Sequence, residues 1–83
     1  MPSQEIVVYG TSWCPDCVRA KRAFKAKGVE YTWIDIGKDK GSRDYVEKVN
    51  GGFRSVPTII FPDGSMMVEP STAELYIKFK ELI

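Results

Sequence analysis

The chain has 83 residues, two cysteines and no histidine. One domain spanning residues 1–83 is the expectation for this length. Two cysteines exclude a disulfide-dense scaffold and a four-cysteine zinc site within one chain, and the missing histidine removes Cys–His and Ser–His catalysis and histidine metal sites.

Twelve Lys+Arg stand against eleven Asp+Glu, so the net charge of +1 demands neither nucleic acid nor an anionic membrane as partner. A hydrophobic share of 43% fits a packed globule rather than a disordered tail. No apolar run approaches the length of a membrane span. Met1 to Glu5 contain no basic stretch followed by an apolar core, so no secretory signal is expected and the cytoplasm is the expected setting. Thiols there are kept reduced, and a lone pair of cysteines is more often chemical than structural.

In chain order, Glu5 to Tyr9 form a β-branched run closed by Gly10, the pattern of a buried strand. After a loop from Thr11 to Trp13, Pro15 suits the first position of a helix, where its missing N–H costs nothing. Good helix formers continue to Lys27, with Gly28 as the stop; Cys17, Ala20 and Phe24 share one face. Tyr31 to Ile36 make a second strand. Gly37 to Gly41 read as a loop, and Ser42 as the N-cap of a helix through Val49 with Tyr45, Val46 and Val49 inward. After Asn50-Gly51-Gly52, Thr58 to Phe61 form a third strand. Pro62-Asp63-Gly64 signal a hairpin, and Ser65 to Val68 return as a fourth strand. Ser71 and Glu74 match a capping box, followed by Leu75, Tyr76, Phe79, Leu82 and Ile83 at helical spacing.

The order β-α-β-α-β-β-α predicts an α/β domain. Strands one and two, joined through a helix, run parallel; the last two form an antiparallel hairpin. A mixed four-stranded sheet flanked by three helices follows, with helices on both faces.

The chemical signal is Trp13-Cys14-Pro15-Asp16-Cys17, at the handover from first strand to first helix. Cys-x-x-Cys beside a βαβ pattern reads as a redox motif. Cys14 falls at or just before the helix N-cap, where its sulfur can face the unpaired N–H groups and the positive end of the first turn, which favour thiolate over thiol. Cys17 lies one turn later on the inner face, within reach of a disulfide to Cys14. Asp16 works against the positive field unless it points into water. The alternatives at this point are a buried structural pair and a metal half-site completed by a second chain. Pro57, in Ser55-Val56-Pro57-Thr58, marks entry to the third strand, because proline cannot sit in mid-sheet.

With these residues in place the chain resembles the glutaredoxins of the thioredoxin fold over nearly its whole length, and among them the mycoredoxins. Shared features are the Trp before Cys14, the Val49 to Gly52 run before Val56-Pro57, the Asp63 to Ser65 turn and the Pro70-Ser71 helix start. The resemblance implies that Pro57 is cis and packs beside Cys14, and that the Val56 backbone pairs strand-like with a bound thiol. Thr11 stands where many glutathione-dependent members carry a basic residue. Val68 to Thr72 replace their Gly-Gly and Asp stretch, leaving the Ser71 and Thr72 hydroxyls. Pro15 resembles dithiol oxidoreductases more than cluster-binding members.

The activity implied is thiol–disulfide exchange on disulfide-containing or S-thiolated proteins, with Cys14 attacking and Cys17 resolving. Candidate site residues are Cys14 and Cys17 for catalysis, with Thr11, Trp13, Pro15, Val56, Pro57, Ser71 and Thr72 around the thiol substrate. No prosthetic cofactor, metal, nucleic acid or membrane is expected. The co-substrate is a low-molecular-weight thiol such as glutathione or mycothiol, with bacillithiol or a reductase protein as other electron sources. The expected state is a monomer. Two rivals are an iron–sulfur cluster carrier, with Cys14 of two chains sharing the cluster, and an NrdH-like redoxin supplying ribonucleotide reductase. The Phe-Arg-Pro run of the latter is not found near the last helix. Beyond these, Arg54 lies close enough to Val56 to meet a carboxylate, though a solvated loop charge is the simpler reading. Tyr9 reads as core or rim, Met66 and Met67 as packing, and Lys38, Asp39, Lys40, Arg43 and Asp44 as solvated surface.

Overall fold

The computed structural model describes residues 5–82. Strands β1 (Val7–Gly10), β2 (Thr32–Asp35), β3 (Thr58–Ile60) and β4 (Met66–Val68) form one sheet in the order β2-β1-β3-β4. Helices α1 (Pro15–Ala26), α2 (Lys40–Val49) and α3 (Thr72–Glu81) complete it. β1 runs parallel to β2 with Val8 opposite Trp33, and antiparallel to β3 with Val8 opposite Ile59. β3 and β4 are antiparallel, Ile59 facing Met67. This is the mixed sheet with three helices that the element order predicts.

Successive strand side chains point to opposite faces, and the packing follows that alternation. Val8 and Ile59 are fully buried in a cluster with Ala20, Ala23 and Phe24 of α1 and Leu75 and Phe79 of α3. Phe24 is its centre: the ring lies 4.6 Å from Tyr31 and 4.9 Å from Phe79, centroid to centroid. Truncating such a residue to alanine costs about 3–5 kcal/mol. The neighbouring Tyr9 faces the other way, its ring 5.4 Å from that of Tyr45 on α2. On that same face Asn50 donates to the Val46 carbonyl at 2.9 Å and to Thr58 Oγ1 at 3.1 Å. Helices therefore cover both faces, α1 and α3 on one and α2 on the other.

Several boundaries differ from the sequence reading. Gly10 is the last residue of β1 and pairs with Asp35, because β2 continues alongside it. α1 ends at Ala26; Lys27 caps it and Gly28 turns the chain at φ +65°, where a side chain would be strained. α2 starts at Lys40, with Asp39 in the N-cap position. Ser42 lies inside the helix and donates its hydroxyl to Asp39 Oδ2. A Lys40–Asp44 ion pair at 2.9 Å bridges the first turn. Of the inward residues read on α2, Val46 is buried, Val49 half-buried and Tyr45 exposed. β4 is an edge strand, so Met66 is exposed while Met67 packs against the core. The capping box is present: Ser71 Oγ accepts from Glu74 N–H at 3.1 Å and Glu74 Oε1 accepts from Ser71 N–H at 2.8 Å. Ile83 lies outside the described residues, as do Met1 to Gln4.

Candidate active site

β1, an inner strand of the sheet, ends at Gly10, and the Thr11–Trp13 loop turns the chain into α1. Cys14 is the N-cap of α1, with extended backbone (φ −82°, ψ 119°), and Pro15 occupies the first helical position. An N-cap side chain is aimed at the free N–H groups of the first turn. Here the acceptor is sulfur: Cys17 N–H donates to Cys14 Sγ at 3.3 Å. A second backbone group reaches the same atom, the Val56 carbonyl, which accepts from the Cys14 thiol at 3.7 Å.

Both thiols are free. Cys14 retains 6% of its surface and Cys17 only 1%, so the first sulfur is the more accessible of the two. Burial pushes the Cys17 thiol up to about 12; the neighbouring Cys14 adds to this, and a backbone hydrogen bond from Thr11 and the Lys21 charge only partly offset it. Cys17 is thus held protonated behind Cys14 at neutral pH. Space for its sulfur comes from Gly10, where a Cβ would stand 2.6 Å from Cys17 Sγ.

Asp16 is half-buried rather than directed freely into water. Its carboxylate pairs with Arg19 at 2.9 Å, and Arg19 also donates to the Pro70 carbonyl at 3.5 Å. The negative charge beside the cysteines is therefore compensated on the outer face of α1.

The Val56–Pro57 peptide is cis, in line with the resemblance, and Pro57 is fully buried. The Pro57 carbonyl accepts from Glu69 N–H at 2.9 Å. Among the described residues, no acceptor takes the Val56 N–H.

The remaining candidates fall into two grooves that share Trp13, itself 78% exposed. One groove, of about 320 Å³, brings Thr11, Trp13 and Val56 together with Arg43 and Arg54. Arg54 is ion-paired to Glu47, and Arg43 donates to the Ile36 carbonyl at 3.3 Å. The Thr11 hydroxyl is buried with no hydrogen-bond partner among the described residues. Thr72 does not join this group; with Pro15 it lines the second groove, between α1 and α3. The Ser71 hydroxyl is engaged as the cap of α3.

The sequence places Arg43 in a mixed-sign surface patch; in the fold it lines the groove with Thr11 and Val56. Spacing offered one hint: on α2 it lies one turn before Glu47, the residue that ties down Arg54. Gly10 was read only as a strand terminator, and no local pattern points to its contact with Cys17.

The family profile named Glutaredoxin matches residues 6–66. A Mycobacterium tuberculosis protein named as a glutaredoxin is 38% identical over 82 residues, covering 99% of this chain and 98% of its own. Mycoredoxin 1 of Corynebacterium glutamicum is 35% identical over 77 residues, covering 93% of this chain and 95% of its own. Among solved structures, a glutaredoxin from Archaeoglobus fulgidus superposes with a TM-score of 0.75 at 28% identity, covering 89% of this chain and 84% of that one. A thioredoxin-like protein superposes with a TM-score of 0.71 at 28% identity, covering 95% of this chain and all of its own (100%).

Proposed function

Since the chain belongs to the glutaredoxin family, whose general activity is thiol–disulfide oxidoreduction, we propose that it reduces protein disulfides and mixed disulfides between proteins and small thiols. The observation that carries this reading is the asymmetry of the two cysteines. Cys14 has the helix N-terminus on its sulfur and the greater exposure; Cys17 is buried and held neutral.

Attack by the Cys14 thiolate on a substrate disulfide forms a Cys14–substrate S–S bond and breaks the original one, releasing a thiolate. Cys17 then attacks the Cys14 sulfur as its proton passes to the second departing sulfur. The products are a Cys14–Cys17 disulfide and two substrate thiols, so two electrons have moved to the substrate. Two molecules of a small thiol, themselves oxidised to a disulfide, or a reductase protein restore the pair. In a monothiol route Cys14 instead holds the small thiol, and a second thiol molecule releases it.

The Val56 N–H and carbonyl supply one strand-like rung for the bound thiol. Arg43 and Arg54 supply cationic groups in the smaller groove, suited to a small thiol that carries carboxylate. The protein acts as a monomer in the cytoplasm under this reading. Among the described residues, no helix is long and apolar enough to cross a membrane.

A turnover panel tests the proposal: wild type, Cys14→Ser and Cys17→Ser, each with glutathione, mycothiol and thioredoxin reductase as electron source. Cys14→Ser is expected to be inactive with every reductant. Cys17→Ser should retain activity on mixed disulfides with small thiols only. Full activity of Cys14→Ser would overturn the mechanism.

A further inference from the structure

The two grooves meet at Trp13 but differ in size and character. The smaller, about 320 Å³, suits a small thiol. The larger, about 750 Å³, runs along the outer surface between α1 and α3 and starts beside the reactive cysteine at Trp13 and Pro15. From Pro15 to Ala26 an α-helix rises about 16 Å, the span of about five residues of extended chain. Val18, Ala26 and Tyr76 make it apolar, and Arg19 and Arg22 are its charged residues; no carboxylate lines it. Arg19 is already paired with Asp16. Arg22 is exposed and has no ion-pair partner among the described residues. Past the far end, Lys27 sits 4.6 Å above the Tyr76 ring, adding positive charge.

Resting on the oxidoreductase reading, we infer that the α1–α3 groove docks the polypeptide that carries the target cysteine, in the form of an extended segment with alternating apolar and acidic side chains. Charge complementarity selects the occupant: with Arg19 held by Asp16, the uncompensated charge of the groove is that of Arg22, and no carboxylate lines it, which favours an acidic chain over a basic one. Continuity with the site selects its class. A mixed disulfide presented to Cys14 for attack has two ends, and the smaller groove, at about 320 Å³, suits the small one. The protein end is left with the groove that begins at Trp13 and Pro15. Trp13, shared by both grooves, separates the two halves of the substrate.

The test uses single-turnover reaction of the fully reduced protein, which needs no added reductant. The probes are two synthetic peptides with a central cysteine held as its mixed disulfide with 2-mercaptoethanol. One is flanked on each side by alternating leucine and glutamate, the other by leucine and lysine. Bis(2-hydroxyethyl) disulfide, too small to use the groove, is the control. Wild type is expected to react with the acidic peptide about fivefold faster than with the basic one, the scale of one exposed ion pair. Arg22→Glu should reverse this preference. Ala26→Glu should slow the acidic peptide, and both variants should match wild type on the control. Equal rates for the two peptides in wild type, or a preference that survives Arg22→Glu, would overturn the docking assignment while leaving the redox chemistry intact. Wild type that is inert toward the control disulfide would overturn the oxidoreductase reading and this one with it.

Discussion

Cys17 occupies the space that a side chain on Gly10 would need: an ideal Cβ there stands 2.6 Å from Cys17 Sγ and 2.6 Å from the Trp33 ring. Gly10 ends β1 and Cys17 lies on the first turn of α1, so the absence of one side chain lets helix and strand close on the buried thiol.

Gly10→Ala forces one of those groups to move, and overpacking of this kind costs about 1–3 kcal/mol. Urea unfolding of the reduced protein should show that loss. Removing the sulfur by Cys17→Ala should restore part of it, making the two substitutions non-additive. An additive double mutant would mean that Trp33 alone absorbs the clash.

The raised Cys17 thiol makes stability depend on alkaline pH. A thiol whose folded-state value lies above its unfolded value holds its proton more tightly when folded. Its contribution is complete below about pH 8.5, the unfolded thiol range, and is lost as pH climbs toward about 12. Reduced wild type should lose stability over that window, and Cys17→Ala should flatten that part of the profile. Parallel profiles for the two proteins would contradict the assignment.

Asp63 gives the opposite sign at the acid end. Its carboxylate accepts from Ser65 N–H at 2.9 Å, from the Ser65 hydroxyl at 2.6 Å and from Lys78 at 3.1 Å. The Ser65 hydrogen bonds, with help from Lys78, hold it at about 2. The contribution is present above the ordinary carboxylate range, about pH 4, and fades as pH falls toward 2. Asp63→Asn should therefore be less stable at neutral pH and shed less on acidification. Matching acid-unfolding curves would remove Asp63 from the account.

Ser71 is an N-cap in a complete capping box. Ser71→Ala should destabilise by about 1 kcal/mol, and Ser71→Asp should keep most of the stability because aspartate also caps. Thermal melts decide this. The KM for the small thiol should stay at the wild-type value in Ser71→Asp, since the groove lined by Thr11, Arg43, Arg54 and Val56 does not include this residue.

In that groove, Arg43→Ala and Arg54→Ala should each raise KM for a carboxylate-bearing thiol about two- to fivefold, the range of exposed charge pairs. The rate on bis(2-hydroxyethyl) disulfide should not change. A fall in kcat with KM constant would place these arginines in a different role.

What could be read from the chain alone was what short-range rules govern. β-Branched runs, the Pro15 start and Gly28 stop of α1, and the Ser71–Glu74 box are encoded within a few residues, and they hold in the fold. The Cys14–Cys17 pair was legible for the same reason, since one helical turn separates the sulfurs wherever the helix goes. The N-cap of α2 was misplaced because Ser42 satisfies the local preference as well as Asp39 does. In the fold the helix begins one turn earlier, with Ser42 inside it bonded to Asp39 and Lys40 paired with Asp44. Only tertiary structure could set Gly10 against Cys17, bring Arg43 and Arg54 beside Thr11, or lay α3 along α1 to form the second groove. Those neighbours come from separate elements, and their meeting depends on sheet register and helix packing, which no periodicity within a single segment contains. Chain order thus specified a cysteine pair on a helix end, and packing determined which sulfur is shielded and which surfaces surround the other.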